Sequence, residues 1–87
     1  MIAIDKLAFG PAPDGLHVND AIEWRNSDIF QHSATATDGS FDIDLPPGSA
    51  GQTILTRAGE VNYVCRYHPG MTGRLEVAPY GFAGSPS

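Results

Sequence analysis

Sulfur is scarce in this sequence, which has one cysteine and two methionines among its 87 residues. The single cysteine, Cys65, cannot form an internal disulfide. It also excludes a four-cysteine zinc site, an iron–sulfur cluster, a CxxC redox motif and a haem-attachment motif. The fold must therefore be stable without disulfide bonds, and any chemistry of Cys65 must involve residues of other types.

Positive charge is scarce as well, because five Lys and Arg residues stand against ten Asp and Glu, for a formal net charge of −5. This balance argues against nucleic-acid binding through a basic face and favours a basic or mixed-charge protein partner. No apolar run approaches the length of a membrane span. The opening segment MIAIDKLAF has charged residues within an alternating pattern, unlike a signal peptide, so we expect a removed leader or a recombinant mature domain.

Helical periodicity is also missing, whereas turn-forming residues are frequent, with 10 Gly and 7 Pro. A chain of this length forms a single domain, which we place at residues 1–79. Its short alternating runs, separated by turn signals, predict an all-β Greek-key sandwich of about seven short strands. In one run Ile22 and Trp24 share a face, which predicts that Trp24 belongs to the core.

Turn residues and alternating runs divide the rest of the chain into irregular and extended segments. The stretch 27–49 is expected to be mostly irregular. Residues 51–57 and 59–66 are predicted to be two paired strands joined by a tight turn. Residues 73–78 form the last predicted strand, and the Gly-, Ser- and Pro-containing tail 80–87 is expected to fray.

The segment YVCRYHPGMTG places Cys65, His68 and Met71 at equal steps of three residues. Each alone has an ordinary interpretation, as a small buried hydrophobe, a surface histidine and a core methionine. Together they are three soft or borderline ligands on one short loop at the end of a predicted strand. This conjunction predicts most of a metal site.

A fourth ligand has to come from elsewhere, and the chain has two other histidines. We interpret His17, in a short strand, as structural or exposed. His32 is the better candidate because its stretch follows a strand and could lie over the same end of a sandwich. One thiolate, two imidazoles and a weakly bound Met71 are the ligands of a blue-copper site, whereas zinc prefers oxygen, nitrogen or thiolate as its fourth ligand.

These motifs resemble those of the cupredoxins, the type 1 blue-copper proteins, over residues 2–78. The C-x-x-H-x-x-M spacing, with Pro69 directly after the histidine, is similar to the short ligand loop of amicyanin. The chain thus resembles amicyanin-, pseudoazurin- and plastocyanin-like small cupredoxins most. The resemblance implies a sandwich with one copper ion at one end. It implies His32 as the inner histidine, Cys65 as the thiolate, His68 as the solvent-edge histidine and Met71 as the axial ligand.

The resemblance also implies a function. Such a protein is a monomer and not an enzyme; it is exported, commonly to the periplasm, and carries single electrons between larger redox proteins. The alternative is copper trafficking, storage or resistance, but the chain has no Met- or His-rich run. A third alternative, a module of a copper oxidase, is disfavoured because VCRYH lacks the additional histidine cluster.

Three further expectations concern the surroundings of the site. Ser33 replaces the family's common Asn after the first histidine and is expected to hydrogen-bond near the ligands. Redox partners are expected to dock around His68, with Pro11 and Pro13 completing an apolar patch. Arg66 either adds a positive charge at the rim of this patch or pairs with a nearby carboxylate.

Overall fold

The computed structural model describes residues 1–79, so the expected fraying of the tail lies outside the described residues. Nine β-strands and no helix are present in this part of the chain: β1 Ile2–Asp5, β2 Ala8–Phe9, β3 Leu16–His17, β4 Ala21–Asn26, β5 His32–Ala36, β6 Asp42–Leu45, β7 Ala50–Ile54, β8 Gly59–Val64 and β9 Thr72–Ala78. Over the described range, nothing helical is long and apolar enough to cross a membrane.

The strands form two mixed sheets, with the orders β2-β1-β4-β7 and β3-β9-β8-β5-β6. Within them β1 runs parallel to β4 and β3 runs parallel to β9, while the other neighbours are antiparallel. The two inner faces enclose one cluster of buried apolar side chains. The predicted all-β sandwich is confirmed.

The number of strands is nine rather than about seven, for two reasons. The first run is divided by a turn at Lys6 and Leu7, which have positive φ values of 53° and 60°. The stretch 27–49 is not mostly irregular, because it contains β5 and β6. In β5 four of the five residues are buried, so tertiary burial, and not a visible polar–apolar alternation, specifies this strand.

The predicted pairing of residues 51–57 with 59–66 is wrong. β7 pairs with β4 in the first sheet, whereas β8 pairs with β5 and β9 in the second. The chain crosses between the sheets after β7, and Leu55 enters the core there with 1% of its surface exposed. Alternation identifies which face of a strand is buried but not which strand is its neighbour.

An aromatic cluster fills the core and confirms the position predicted for Trp24, which is completely buried. Its ring lies 5.1 Å from that of Tyr63 and 5.6 Å from that of Phe41, and its Nε1–H donates a 2.9 Å hydrogen bond to Thr53 Oγ1. Tyr63 lies across its cross-strand partner Gly73 so closely that a Cβ at position 73 would overlap the ring. Glycine is therefore required there by close approach.

This topology brings two chain segments together at one end of the sandwich. β4 ends at Asn26 and the next strand begins at His32, while β8 ends at Val64 and β9 begins at Thr72. β5 and β8 are antiparallel neighbours, with Thr35 opposite Val64. The start of β5 and the loop after β8 must therefore be adjacent.

Candidate metal centre

Three of the four predicted ligands meet at this end of the sandwich. Cys65 Sγ lies 3.5 Å from His32 Nδ1 and 3.6 Å from His68 Nδ1. All three ligand atoms lie within 4.8 Å of one another. His32 is completely buried and Cys65 nearly so, whereas His68 is partly exposed. The three donors are therefore enclosed by the protein except at His68, which faces solvent on one side.

The spacing of these donors fits a single first-row transition-metal ion. Sulfur at about 2.3 Å and nitrogen at about 2.0 Å from one ion lie about 3.5 Å apart at a tetrahedral angle and about 3.7 Å apart at a trigonal one. The two observed sulfur–nitrogen distances agree with this range. The cluster is therefore largely preformed and is suited to one copper ion.

The environment of Cys65 favours its thiolate form. Burial alone would raise the pKa of this thiol, but hydrogen bonds from His32 and His68, with backbone N–H groups of Ser33 and Tyr67, outweigh it and lower the pKa from 9.0 to about 6. A thiolate is the form of cysteine that binds metals. The folded chain therefore presents the ligand already ionised near neutral pH.

The loop that carries Cys65 is closed by its own backbone. The N–H of Cys65 donates to the carbonyl of Met71 at 3.2 Å, and the N–H of Met71 donates to the carbonyl of His68 at 3.2 Å. Gly70 adopts a φ of 96°, which side-chain-bearing residues rarely adopt. Met71 takes part in both bonds and is buried, with 6% of its surface exposed.

The stretch before His32 is organised by the buried Asn26. Its side-chain amide donates to the carbonyls of Phe30 and Leu45 at 2.8 Å, and its Oδ1 accepts the N–H of Asp28 at 2.8 Å. Asp28 Oδ2 in turn lies 2.9 Å from His32 Nε2. His32 therefore turns one ring nitrogen toward Cys65 and the other toward a carboxylate.

Ser33 belongs to a closed ring of hydrogen bonds that joins the ligand loop to β5 and β6. Its Oγ accepts the N–H of Arg66 at 2.8 Å and lies 2.9 Å from Thr35 Oγ1, whose hydroxyl donates to Asp42 at 3.0 Å. Because Thr35 uses its proton on that carboxylate, Ser33 donates to Thr35. The Arg66 guanidinium closes the ring by pairing with Asp42 and also contacts Asp44 at 3.0 Å.

The ion pairs of this ring distinguish between the two roles predicted for Arg66, a free positive charge at the rim and a partner of nearby carboxylates. Its charge is paired with Asp42 and Asp44, so it does not stand alone at the rim of the site. Two carboxylates around one guanidinium leave this side of the metal end net negative. An acidic rim is compatible with the basic or mixed-charge partner expected from the composition.

An apolar patch lies beside His68, but its members differ from the prediction. The Phe30 ring lies 5.9 Å from the His68 ring in an edge-on arrangement. Phe30 is 45% exposed, Ile29 81% and Leu7 44%, and the N–H groups of Ile29 and Leu7 both donate to Asp28. We call these three residues the Leu7–Ile29–Phe30 patch.

The expected contribution of Pro11 and Pro13 to this patch is wrong. Their segment leaves β2 and enters β3, where Leu16 pairs with Val77 near the C-terminal end of β9. Met71 precedes the N-terminal end of that same strand. The segment therefore runs toward the end of the sandwich opposite the metal centre. The strand order determines this direction, and the composition of the loop does not.

No family model and no curated protein matches the chain. Solved structures do resemble it: the reduced state of an amicyanin variant gives a TM-score of 0.68 at 23% identity, covering 91% of this chain and 81% of that one. A purple cupredoxin from Nitrosopumilus maritimus gives 0.63 at 19% identity, covering 87% and 77%. The chain has the cupredoxin fold. A copper-containing nitrite reductase from Thermus scotoductus gives 0.66 at 23% identity, covering 94% of this chain but only 23% of that one.

Within this cupredoxin fold, the predicted site residues fall into clear groups. His32, Cys65 and His68 come together, and Met71 lies buried at the end of the same loop. His17 lies elsewhere, exposed and 3.8 Å from Asp20, in agreement with its exclusion as a ligand.

Asn26, Asp28, Thr35 and Asp42 were missed by the sequence analysis. Asn26 ends β4 and Asp28 follows it, where such residues commonly mark turns, and this signal indicates a turn but not a contact with a ligand.

Proposed function

We propose that this protein binds one type 1 copper ion through His32, Cys65, His68 and Met71 and carries single electrons between larger redox proteins. The convergence of the first three side chains, at sulfur–nitrogen distances suited to one ion, is the observation that supports the proposal most. Met71 enters the proposal because it is buried on the same closed loop. A soft, weakly binding thioether as the fourth ligand would favour copper over zinc.

Copper bound there would supply a one-electron couple between Cu(I) and Cu(II). The chain's own residues keep the donors in place in both states. Cys65 is fixed by backbone bonding to Met71, and His32 is held from behind by Asp28. Since these restraints come from the folded chain, little rearrangement is needed when an electron is gained or lost.

His68 is the proposed electron port. Of the four proposed ligands it alone is partly exposed, and the Leu7–Ile29–Phe30 patch lies beside it. Exposed apolar side chains next to a redox centre suit brief docking of a partner protein. We further propose that the protein acts as a monomer, is not an enzyme and functions outside the cytoplasm, in the periplasm or an equivalent exported location.

Electron transfer is tested by loading the wild type with copper and measuring electron self-exchange and oxidation by a redox protein of basic surface. A substitution in the patch, Phe30→Ser, is expected to slow both reactions without changing the visible spectrum. Ile54→Ser is the matched control, because Ile54 is 48% exposed on β7 and lies opposite Ala21 at the start of β4. Equal rates for the two variants would refute docking at the patch.

A delivery role predicts a different result in the same preparation. A trafficking protein would release copper rapidly to a competing chelator, whereas an electron carrier should retain it through repeated reduction and oxidation. Met71→Leu is expected to keep the copper and the visible band but to shift the reduction potential, because a weakly bound thioether ligand would tune that potential. An unchanged potential would remove Met71 from the ligand set.

A further inference from the structure

The ligand loop, residues 65–71, is attached to the outer face of β6 by two of its side chains. The hydroxyl of Tyr67 donates to Asp44 Oδ1 at 3.0 Å, and the same carboxylate oxygen accepts a hydrogen bond from Arg66 Nη2 at 3.0 Å. The Arg66 guanidinium lies 5.6 Å from the centre of the Tyr67 ring. Two consecutive side chains of the loop therefore meet at one carboxylate, which is carried by a strand.

We propose that Tyr67 and Asp44 are positioning residues that hold the ligand loop against β6 and so keep the Tyr67 N–H on the Cys65 sulfur. We call this pair the Tyr67–Asp44 clamp. The first part of the inference, the restraint on the loop, concerns the metal-free chain. The second part is that the clamp raises the reduction potential of bound copper, and it rests on the proposed function because it requires copper at the site.

The first half of the loop depends on hydrogen bonds for its rigidity. Neither Arg66 nor Tyr67 is a proline, so no ring fixes their φ torsions. The backbone N–H of Arg66 is held by its 2.8 Å bond to Ser33 Oγ. After it, within the described chain, the Tyr67 hydroxyl makes the single side-chain hydrogen bond that joins residues 67–70 to a strand. Loss of this bond should therefore free the part of the loop that follows Arg66.

The clamp reaches the sulfur through the backbone of Tyr67. The N–H of Tyr67 donates to Cys65, while its side chain is bound to Asp44, so this residue is held at both ends. His68 is the next residue, and its Nδ1 lies 3.6 Å from the same sulfur. Hydrogen-bonded groups outside a ligand set orient the ligands in this way. The clamp therefore fixes two of the groups that contact the sulfur.

Solvent limits the strength of the clamp. The side chain of Asp44 is 54% exposed and that of Arg66 is 41% exposed. Exposed interactions of charged groups usually change an equilibrium constant by no more than roughly fivefold. Because Asp44 Oδ1 accepts two hydrogen bonds, removal of the carboxylate should loosen the loop at least as much as removal of the phenol hydroxyl. The expected effect is thus local, on opening of the loop.

Amide hydrogen exchange of the metal-free protein, followed by NMR, tests the restraint without copper. Tyr67→Phe removes the hydroxyl and keeps the ring. We expect the N–H groups of residues 66 and 67 to exchange about two- to fivefold faster in this variant, because the loop opens more often. Amides of β4, in the other sheet, should keep their wild-type rates. Unchanged exchange at residues 66 and 67 would overturn the proposal.

A double-mutant comparison tests whether Tyr67 acts through Asp44. Asp44→Ala should accelerate exchange at least as much as Tyr67→Phe, and the double variant should be no faster than Asp44→Ala, because both changes break the same bond. Glu23→Ala is the matched control, since Glu23 is an exposed carboxylate on β4. Additive effects, or equal acceleration in Glu23→Ala, would overturn the clamp. Tyr67→Phe decides the first part alone if Asp44→Ala does not fold.

The reduction potential of the copper-loaded protein tests the second part. A hydrogen bond to the cysteine sulfur withdraws electron density from it, so weakening that bond favours Cu(II) and lowers the potential. Tyr67→Phe is the variant to compare with wild type, because it leaves the charge of the protein unchanged. We expect a lower potential and a faster loss of copper to a chelator. An equal or higher potential would overturn the second part.

If the wild type binds no copper, the proposed function and the second part fail together. The exchange measurement on the metal-free chain still decides the first part in that case.

Discussion

Removal of the Ser33 hydroxyl should loosen the attachment of the ligand loop to β5 and β6. Ser33→Ala leaves the Arg66 N–H without its 2.8 Å acceptor, whereas Thr35 keeps its bond to Asp42. A buried donor without a partner costs about 1–3 kcal/mol; because this bond is only partly buried, we expect about 1–2 kcal/mol. With a urea m-value of about 1–3 kcal/mol/M for a small domain, the unfolding midpoint should fall by roughly 0.3–2 M.

The assay is urea unfolding of the metal-free protein, followed by the fluorescence of its single tryptophan. Ser27→Ala is the control, because Ser27 is exposed and such surface changes usually stay within about 0.5 kcal/mol. The reduction potential of the copper-loaded Ser33→Ala variant should also shift, because the Cys65 loop is held less firmly. A midpoint and a potential both matching those of Ser27→Ala would refute the structural role of the ring.

Three other perturbations test the core and the thiolate. Gly73→Ala should displace the Tyr63 ring and destabilise the fold by about 1–3 kcal/mol in calorimetry; an unchanged melting temperature would contradict the close packing. Trp24→Phe loses the bond to Thr53 and should cost about 1–3 kcal/mol, with the potential nearly unchanged. The pKa of Cys65 is about 6 in the fold against 9.0 ordinarily, so the thiolate's stabilisation is complete above the unfolded pKa and is lost as pH falls toward 6. The stability difference between metal-free wild type and Cys65→Ser should follow that trend, and a flat difference would contradict it.

The sequence predicted the sandwich, and the meeting of His32, Cys65 and His68 at one end of it, better than it predicted the neighbours of each strand. Alternation at Ile22 and Trp24 and the spacing from Cys65 to Met71 are patterns of neighbouring residues. Such patterns can be interpreted without knowing which distant segments pack together. The partners of β7 and β8 depend on which sheet the chain enters after Leu55, and the alternation of apolar residues carries no information on that choice. No local pattern distinguishes them.

The surroundings of the site were harder to predict because they depend on contacts between distant segments. Asp28 meets Leu7 across 21 residues and Arg66 meets Asp42 across 24. Ser33 was expected near the ligands from its position after His32. Its actual partners became visible only once β5, β6 and the ligand loop were placed side by side.

The copper site itself is tested most directly by titrating metal-free wild type and Cys65→Ser with Cu(II) while recording absorption and electron paramagnetic resonance spectra. We predict an intense visible thiolate-to-copper band in the wild type that saturates at one equivalent. We predict no such band in Cys65→Ser, whose hydroxyl cannot replace the thiolate. A correctly folded wild type that shows no band on adding Cu(II) would contradict the assignment of His32, Cys65 and His68 as a type 1 copper centre.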